Sequence, residues 1–303
     1  MKFVVGIPSF NRPKPLELAL TRLAHLEGID SVIIVADATD PVLLDKYKEV
    51  VKNVTNCLSD IIYDIKLDRR GSVYARNRIF ELVDQHFTNN YVLITYDDDY
   101  ICPLGDWLSP IHKWLNNEAV GVVGGRVINL RHRRIDPDFT LNFLPHVADV
   151  LTKVTGFILL DTKHGPRYVE YTTPLMAIKK RLIKKGLRYD PKYRGTGYRE
   201  ESDLQEQVRR LGYRIIFEPR FYVYHLNLEE GGNRSMQDIA ARFYWKARNH
   251  TYFMLKHQKP IHKLILSNLI IITYALLYGN KTFTSAMRGL KEAFHSGIAS
   301  REG

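Results

Sequence analysis

The sequence predicts an α/β protein: a doubly wound, mostly parallel central sheet of Rossmann-like type, followed by a helical C-terminal tail. Three observations predict it. β-Branched apolar runs alternate with stretches of helical period through roughly the first hundred residues, the pattern of a parallel sheet with crossover helices on both faces. These runs close on Pro, Asn or Asp, at the strand ends where such sheets bind ligands. With 303 residues, 45% of them apolar, the chain can bury a full core, which excludes general disorder.

Taken in order, residues 2–7 form an apolar strand closed by Pro8, and residues 15–26 repeat Leu16, Ala19, Leu20, Leu23 and Ala24 at a helical period. Residues 31–36 are a β-branched strand ending in Asp37, residues 43–54 a second helix, and residues 61–67 a third strand. After Gly71, residues 73–86 read as a helix, and residues 90–96 as a buried strand running into Asp97, Asp98 and Asp99. The second half is mixed rather than regularly βα. Residues 119–128 read as a strand with paired Gly124 and Gly125, residues 168–178 as another, residues 201–211 as a polar-faced helix, and residues 213–224 as two short strands around Pro219. A boundary near residues 237–241 divides a main domain, 1–239 with halves 1–118 and 119–239, from a tail, 240–303.

Charge separates the two parts. The net charge is +11, and the residues from Ala240 onward hold ten Lys or Arg against two Glu, or +8, leaving the first 239 residues near balance at +3. A basic tail beside a balanced domain points to an anionic partner surface, a membrane or a nucleic acid. Cys57 and Cys102 are too few for a disulfide framework or a cysteine zinc site, which indicates a reducing compartment. The N-terminus reaches Pro8 after a few apolar residues and reads as a strand, not a signal peptide.

Four constellations carry chemistry. Asp97, Asp98 and Asp99 follow an apolar strand; adjacent carboxylates repel, and a cation between them relieves this, so they read as oxygen ligands for Mg²⁺ or Mn²⁺ or else as a solvated acidic turn. Glu200, Glu201 and Asp203 stand at a helix start behind Gly195 and Gly197, either as helix caps or as a source of a general base. Gly71 before a helix with Arg76 and Asn77 one turn inside suits a phosphate or a base, or is a solvated helix face. His225 lies on an apolar strand, as a core histidine or a ligand.

In order and spacing these elements resemble the nucleotide-sugar-dependent glycosyltransferases of the GT-A fold, of the large inverting family 2. Ile7, Pro8, Ser9, Phe10, Asn11 and Arg12 resemble its opening IPxYNR strand end. Gly71 with Ala75, Arg76 and Asn77 resembles its G-xxx-ARN helix, and Asp97, Asp98 and Asp99 its DxD metal motif. Gly186 through Asp190, followed by Glu200, Glu201, Asp203 and Leu204, resembles its GGFDE…ED-x-DL stretch, and His225 falls where many GT-A enzymes carry a metal-binding His. The resemblance covers residues 3–226. It implies a GT-A catalytic domain at 1–239, with a nucleotide-sugar-binding half (1–118) and an acceptor-binding half (119–239). It implies a nucleoside-diphosphate sugar donor held at Pro8, Ser9, Asn11, Arg12, Asp37, Gly71, Arg76, Asn77, Asp97 and Asp98. Asp97, Asp99 and His225 would hold Mn²⁺ or Mg²⁺. Glu201 would be the catalytic base, with Glu200 and Asp203 as acceptor-side or helix-start carboxylates. Asp98 is expected on ribose or sugar hydroxyls. Two departures stand out: the family's Asp-Asp-Gly-Ser is Ala36, Asp37, Ala38, Thr39 here, and Glu201 replaces a catalytic Asp with one more methylene.

The tail contains an uncharged stretch, residues 264–280, bracketed by Lys263 and Lys281. Seventeen helical residues span ~25 Å, short of the ~30 Å hydrocarbon core. The expectation is an interfacial helix on anionic lipid, with a soluble packing or homo-oligomer helix, or a true span, as the alternatives. Similar tails occur in members resembling rhamnosyltransferases that build lipid-linked glycans, which implies a hydroxyl acceptor on a lipid-linked or surface glycan and a peripheral place on the cytoplasmic face of the membrane. Arg126, Arg131, Arg133 and Arg134 form a basic patch that meets an acceptor pyrophosphate or is a solvated loop. Nucleic acid is weakly supported, because the positive charge accompanies an apolar run rather than a polar groove. The rivals are a sugar nucleotidyltransferase, which wants a Gly-rich phosphate loop that residues 8–13 lack, and a non-catalytic basic peripheral membrane protein with a transferase fold.

Overall fold

The computed structural model describes residues 1–55, 58, 60–130, 145–226, 228, 231–232 and 238–299. Cys57 and the basic residues Arg131, Arg133 and Arg134 lie outside the described residues.

The first half follows the expected alternation. Strands β1 (Lys2–Phe10), β2 (Ser31–Ala38), β3 (Ile61–Leu67) and β4 (Tyr91–Thr95) are joined by helices α1 (Pro13–Ala24), α2 (Pro41–Val54) and α3 (Ser72–His86). The four strands pair in parallel in the order β3-β2-β1-β4. β2 is buried at every position, as expected of a strand covered on both faces. α2 starts where the Asp40 side chain accepts from the Leu43 N–H at 2.9 Å. α3 lies close on β1 because position 6 is glycine: a Cβ there would meet Ile79 at 2.5 Å. That approach sets the start of α3, and with it Arg76, over the ends of β1 and β4.

The second half completes one nine-stranded sheet, ordered β3-β2-β1-β4-β8-β6-β9-β5 with β7 paired to β9. Its elements are β5 (Tyr100–Ile101), α4 (Ser109–Leu115), β6 (Val120–Asn129), α5 (Val147–Thr155), β7 (Arg167–Val169), β8 (Met176–Lys179), α6 (Lys180–Lys184), α7 (Glu200–Arg210) and β9 (Arg214–His225). β8 is antiparallel to both β4 and β6, so β6, and β9 parallel to it, run in the direction of β1–β4. The C-terminal ends of β1, β2, β4, β6 and β9 therefore share one edge of the sheet.

Two sequence readings are corrected here. Residues 168–178 are not one strand: β7 pairs with β9 while β8 pairs with β4 and β6, and the segment between, holding Pro174, passes from one place in the sheet to another. Residues 213–224 are not two strands around Pro219: β9 is continuous, and Pro219 sits in a bulge where the register with β6 moves from Gly124↔Phe217 to Arg126↔Tyr222. A bulge tolerates the missing Pro N–H.

The chain ends in α8 (Ile239–Lys256), α9 (Ile261–Leu277) and α10 (Asn280–Ala299). α8 adds Tyr252, Phe253 and Met254 to the core cluster under the α3 face of the sheet. α10 packs on α8 at Gly289, whose missing side chain lets the helix meet the Tyr244 carbonyl. Among the described residues no helix is long and apolar enough to cross a membrane.

Candidate active site

A cavity of about 590 Å³ opens at the shared strand edge. The strand ends and the start of α3 deliver their groups to it, and the sequence brings these together from positions as far apart as Ser9 and His225.

The aspartates are sorted by their partners. Asp98 turns inward: Ser9 Oγ donates to it at 2.6 Å and Arg12 Nη1 lies 3.2 Å away. Burial pushes its carboxyl up to about 7, against the Arg12 charge and with the repulsion of Asp99. Asp99 lies 3.0 Å from Arg12 Nη1 and 3.3 Å from His225 Nε2. Asp97 faces Arg76 at 3.1 Å. The repulsion among three adjacent carboxylates is thus relieved by two arginines, Arg12 and Arg76, and tolerance of the triplet does not itself require a metal.

His225 is placed by pairing. Directly after the aspartates, Tyr100 of β5 pairs with His225 of β9, and Asn129 of β6 pairs with it on the other side. His225 Nδ1 lies 2.8 Å from Asn129 Oδ1. With Nδ1 held by Asn129, Nε2 faces Asp99 Oδ2 at the cavity wall. Two cis ligands at about 2.1 Å from one octahedral ion stand about 3 Å apart, close to the distance seen. A carboxylate oxygen and an imidazole nitrogen suit Mn²⁺. Among the described residues no three His, Cys, Asp or Glu side chains converge as a closed metal cluster, so Asp97 does not join Asp99 and His225. Any remaining ligands would come from elsewhere.

Arg76 is the hub of the other side. It is buried, one turn into α3, and reaches Asp97 (3.1 Å), Glu200 (3.4 Å) and Glu201 (3.4 Å). Burial works against its charge, and the charges of Asp97 and then Glu201 outweigh it and hold the guanidinium well above its ordinary value. The two glutamates differ sharply. Glu200 is 3% exposed, accepts from Ser72 Oγ at 3.3 Å, and fits because residue 197 is a glycine. Burial first, and the Glu201 charge second, push its carboxyl up to about 8. Glu201 keeps 20% of its side chain exposed at the cavity.

On the nucleotide side Asp37 is gripped by Arg70, through its backbone N–H at 2.6 Å and its Nε at 2.7 Å. Pro8, Ser9, Arg12, Asp37, Gly71 and Arg76 all line the cavity. Asn11, Asn77 and Asp203 do not. Asn11, at φ +55°, bridges to Thr39 by a backbone and a side-chain hydrogen bond and ties the ends of β1 and β2. Asn77 brackets the Tyr189 backbone, accepting from its N–H and donating to its carbonyl at 2.8 Å each. Asp203 is fully buried and holds Lys256 and His257 at 2.7 Å.

Those last contacts join the C-terminal helices to the site. Lys256 also meets Asp190 at 2.7 Å, Asn249 donates to the Arg194 carbonyl at 2.9 Å, and Arg199, directly before Glu200, donates to His250 Nδ1 at 3.1 Å. Burial keeps His250 well below its ordinary value, so it stays the acceptor Arg199 needs. α8 thereby fixes the loop and helix start that carry Glu200 and Glu201. Sequence reading missed Ser72, Asn129, Tyr198, Arg242 and Lys246. A usable signal existed for the last pair, two cations four residues apart on one helix face.

Comparisons with known proteins bear on the fold. A search of curated proteins finds no match. Solved structures match over most of the chain. The mannosyltransferase PcManGT from Pyrobaculum calidifontis, in complex with GDP-Man and Mn²⁺, matches with TM-score 0.59 at 18% identity, over 99% of this chain and 78% of that one. S. aureus TarS 1-349 in complex with UDP-GlcNAc gives 0.57 at 17%, over 94% and 73%. Glucosyl-3-phosphoglycerate synthase from Mycobacterium tuberculosis, with Mn²⁺, UDP and phosphoglyceric acid, gives 0.53 at 14%, over 86% and 79%. These likenesses establish the GT-A fold. The model of "Glycosyl transferase family 2" matches residues 4–167, more than half of the chain, and the protein is a glycosyltransferase belonging to that family.

Proposed function

We propose that this glycosyltransferase moves a sugar, with inversion and with a divalent metal, from a nucleoside-diphosphate donor to an acceptor hydroxyl on a lipid-linked or surface glycan. The observation that carries this is that the pair Asp99–His225, Arg76 and Glu201, whose side chain is 20% exposed, all line one cavity. The Mn²⁺ and the nucleotides in the complexes of structural relatives support the donor class.

Asp99 and His225 would hold Mn²⁺ or Mg²⁺, which supplies Lewis-acid stabilisation of the charge growing on the leaving diphosphate. The start of α3 at Gly71 and Ser72 offers backbone N–H groups toward the same end. Arg76 keeps a fixed positive charge between donor and base. Glu201 takes the acceptor's proton on a carboxylate oxygen as the hydroxyl oxygen bonds to the anomeric carbon. The sugar–phosphate bond breaks on the opposite face, and the diphosphate leaves with the electron pair. One displacement inverts the anomeric centre. Glu200, which holds its own proton near neutrality, is unsuited to that task.

We place the protein on the cytoplasmic face of an anionic membrane. α9 turns Ile265 (53% exposed), Leu269 (53%) and Leu277 (76%) outward, between Lys263 and Lys281, on the +8 segment. Titration with UDP, GDP, CDP and dTDP, each with and without Mn²⁺, tests the donor half. One nucleotide is expected to bind only with metal and at least tenfold more weakly to Asp99→Asn. Equal affinity in both proteins would overturn the metal assignment.

A further inference from the structure

Besides the proposed donor groups and base, the cavity is lined by residues 157–160, by Thr172 and Thr196, and by Arg242 and Lys246 of α8. The Lys246 ammonium sits among three rings, 5.3 Å from the Tyr198 centroid, 5.4 Å from Phe157 and 5.7 Å from Tyr274. Among the described residues it makes no hydrogen bond and no ion pair. Cation–π attraction offsets part of its desolvation and leaves its N–H donors unused. Two hydroxyls at the same wall, Thr172 Oγ1 and Thr196 Oγ1, are buried and have no partner among the described residues. Thr196 is held there by Gly195 and Gly197, both left-handed at φ +65° and +66°. Gly195 lies flat on the Trp245 ring, where a Cβ would overlap it, which seats this loop on α8 beside Lys246.

Unused cationic and hydroxyl donors at one wall are what a multi-oxygen anion satisfies. Beside this cluster the lining is apolar: from Phe157, which touches Lys246, Ile158, Leu159 and Leu160 continue toward α5, whose outer side exposes Val150 (56%) and Val154 (54%). α5 itself packs on α9.

We infer that the acceptor is a phosphate ester carrying an apolar tail, and that Lys246 of α8, helped by Thr196, reads its phosphate. The phosphate lies between Lys246 and Thr196, and the tail runs along residues 157–160 toward α5. This rests on the proposed transfer reaction only in naming the ligand an acceptor. A lipid phosphate and a water-soluble phosphate ester share the headgroup chemistry, and they differ in whether the tail contributes.

Calorimetric titration separates these. The full chain, saturated with its nucleoside diphosphate and Mn²⁺ so that the donor site is filled, is titrated with octyl phosphate, octanol and inorganic phosphate. Octyl phosphate is expected to bind more tightly than inorganic phosphate and far more tightly than octanol. Lys246→Met, which keeps an apolar stem between the rings, should weaken octyl phosphate by roughly 10- to 100-fold and leave the nucleotide titration unchanged. Thr196→Val should weaken it in the same direction, which keeps the test open if Lys246→Met folds poorly. Unchanged octyl phosphate affinity in both variants, or equal binding of octanol, overturns phosphate recognition by this wall. Equal affinity for inorganic and octyl phosphate overturns the apolar tail. If no nucleotide binds while octyl phosphate still binds through Lys246, the donor assignment fails and this one stands.

Discussion

Glu200→Gln is expected to stabilise the protein, increasingly so as pH rises. Glu200 lies behind Glu201 with its carboxyl buried against Ser72, Arg76 and the space left by Gly197. Its folded-state pKa is raised to about 8, from burial first and the Glu201 charge second. The sign follows: the native chain keeps a proton that the unfolded chain has released, so stability is fully present below the ordinary value of 4.5 and is lost as pH rises toward 8. At pH 7 the loss is about 3 kcal/mol, at about 1.4 kcal/mol per pH unit between 4.5 and 7. Gln keeps the shape and still accepts from Ser72, but carries no proton linkage. Asp98, with its own raised pKa, is common to both proteins and cancels in the difference. Urea unfolding at pH 5, 6, 7 and 8 should show the two proteins close at pH 5 and the variant ahead by a few kcal/mol at pH 8. A difference that is flat from pH 5 to 8, or a variant that loses ground as pH rises, would refute the reasoning.

Asp203→Ala should cost about 3–5 kcal/mol in urea unfolding, because Lys256 and His257 lose their shared buried carboxylate; a cost under 1 kcal/mol would mean that α8 is held by other contacts. Gly195→Ala should destabilise by about 1–3 kcal/mol, since the backbone is left-handed and the Trp245 ring blocks the Cβ; thermal melting checks this, and an unchanged melting temperature contradicts it. Flotation with anionic vesicles should recover the full chain in a partly salt-sensitive way, and Ile265→Glu with Leu269→Glu should abolish recovery; equal flotation of the variant removes α9 from the membrane assignment. Truncation near residue 240 would be a poor substitute, because it strips Tyr252, Phe253 and Met254 from the core.

The first half of the fold was legible because each of its strands is a local apolar run followed by a helix of clear period. The second half was not. β8 inserts antiparallel between β4 and β6, and no local pattern tells residues 167–169 from 176–179 as partners of different strands. In the site, residue types and positions were readable, while their partners were not. Local repulsion in the aspartate triplet argued for a metal, yet the compensating Arg12 is 86 residues from Asp98 in sequence. The stronger ground for a metal, His225 oriented by Asn129 toward Asp99, depends on the register of β6 with β9. Asn11, Asn77 and Asp203 stand inside ligand-like motifs and are spent on backbone and helix contacts. The tail's charge and its uncharged stretch were visible from the sequence, but not that α8 fixes the segment bearing Glu200 and Glu201.

The most direct test is proton NMR of donor turnover with Mn²⁺, for the unaltered protein, Glu201→Gln and Glu200→Gln. A panel of nucleotide sugars is supplied, and the released nucleoside diphosphate and the anomeric configuration of the first-formed sugar product are read together. The account predicts metal-dependent release from one donor class and a first product of inverted configuration. It also predicts a loss of roughly 10²- to 10⁴-fold in Glu201→Gln, with a much smaller loss in Glu200→Gln. A product of retained configuration, turnover independent of metal, or a Glu201→Gln variant as active as the unaltered protein would contradict it.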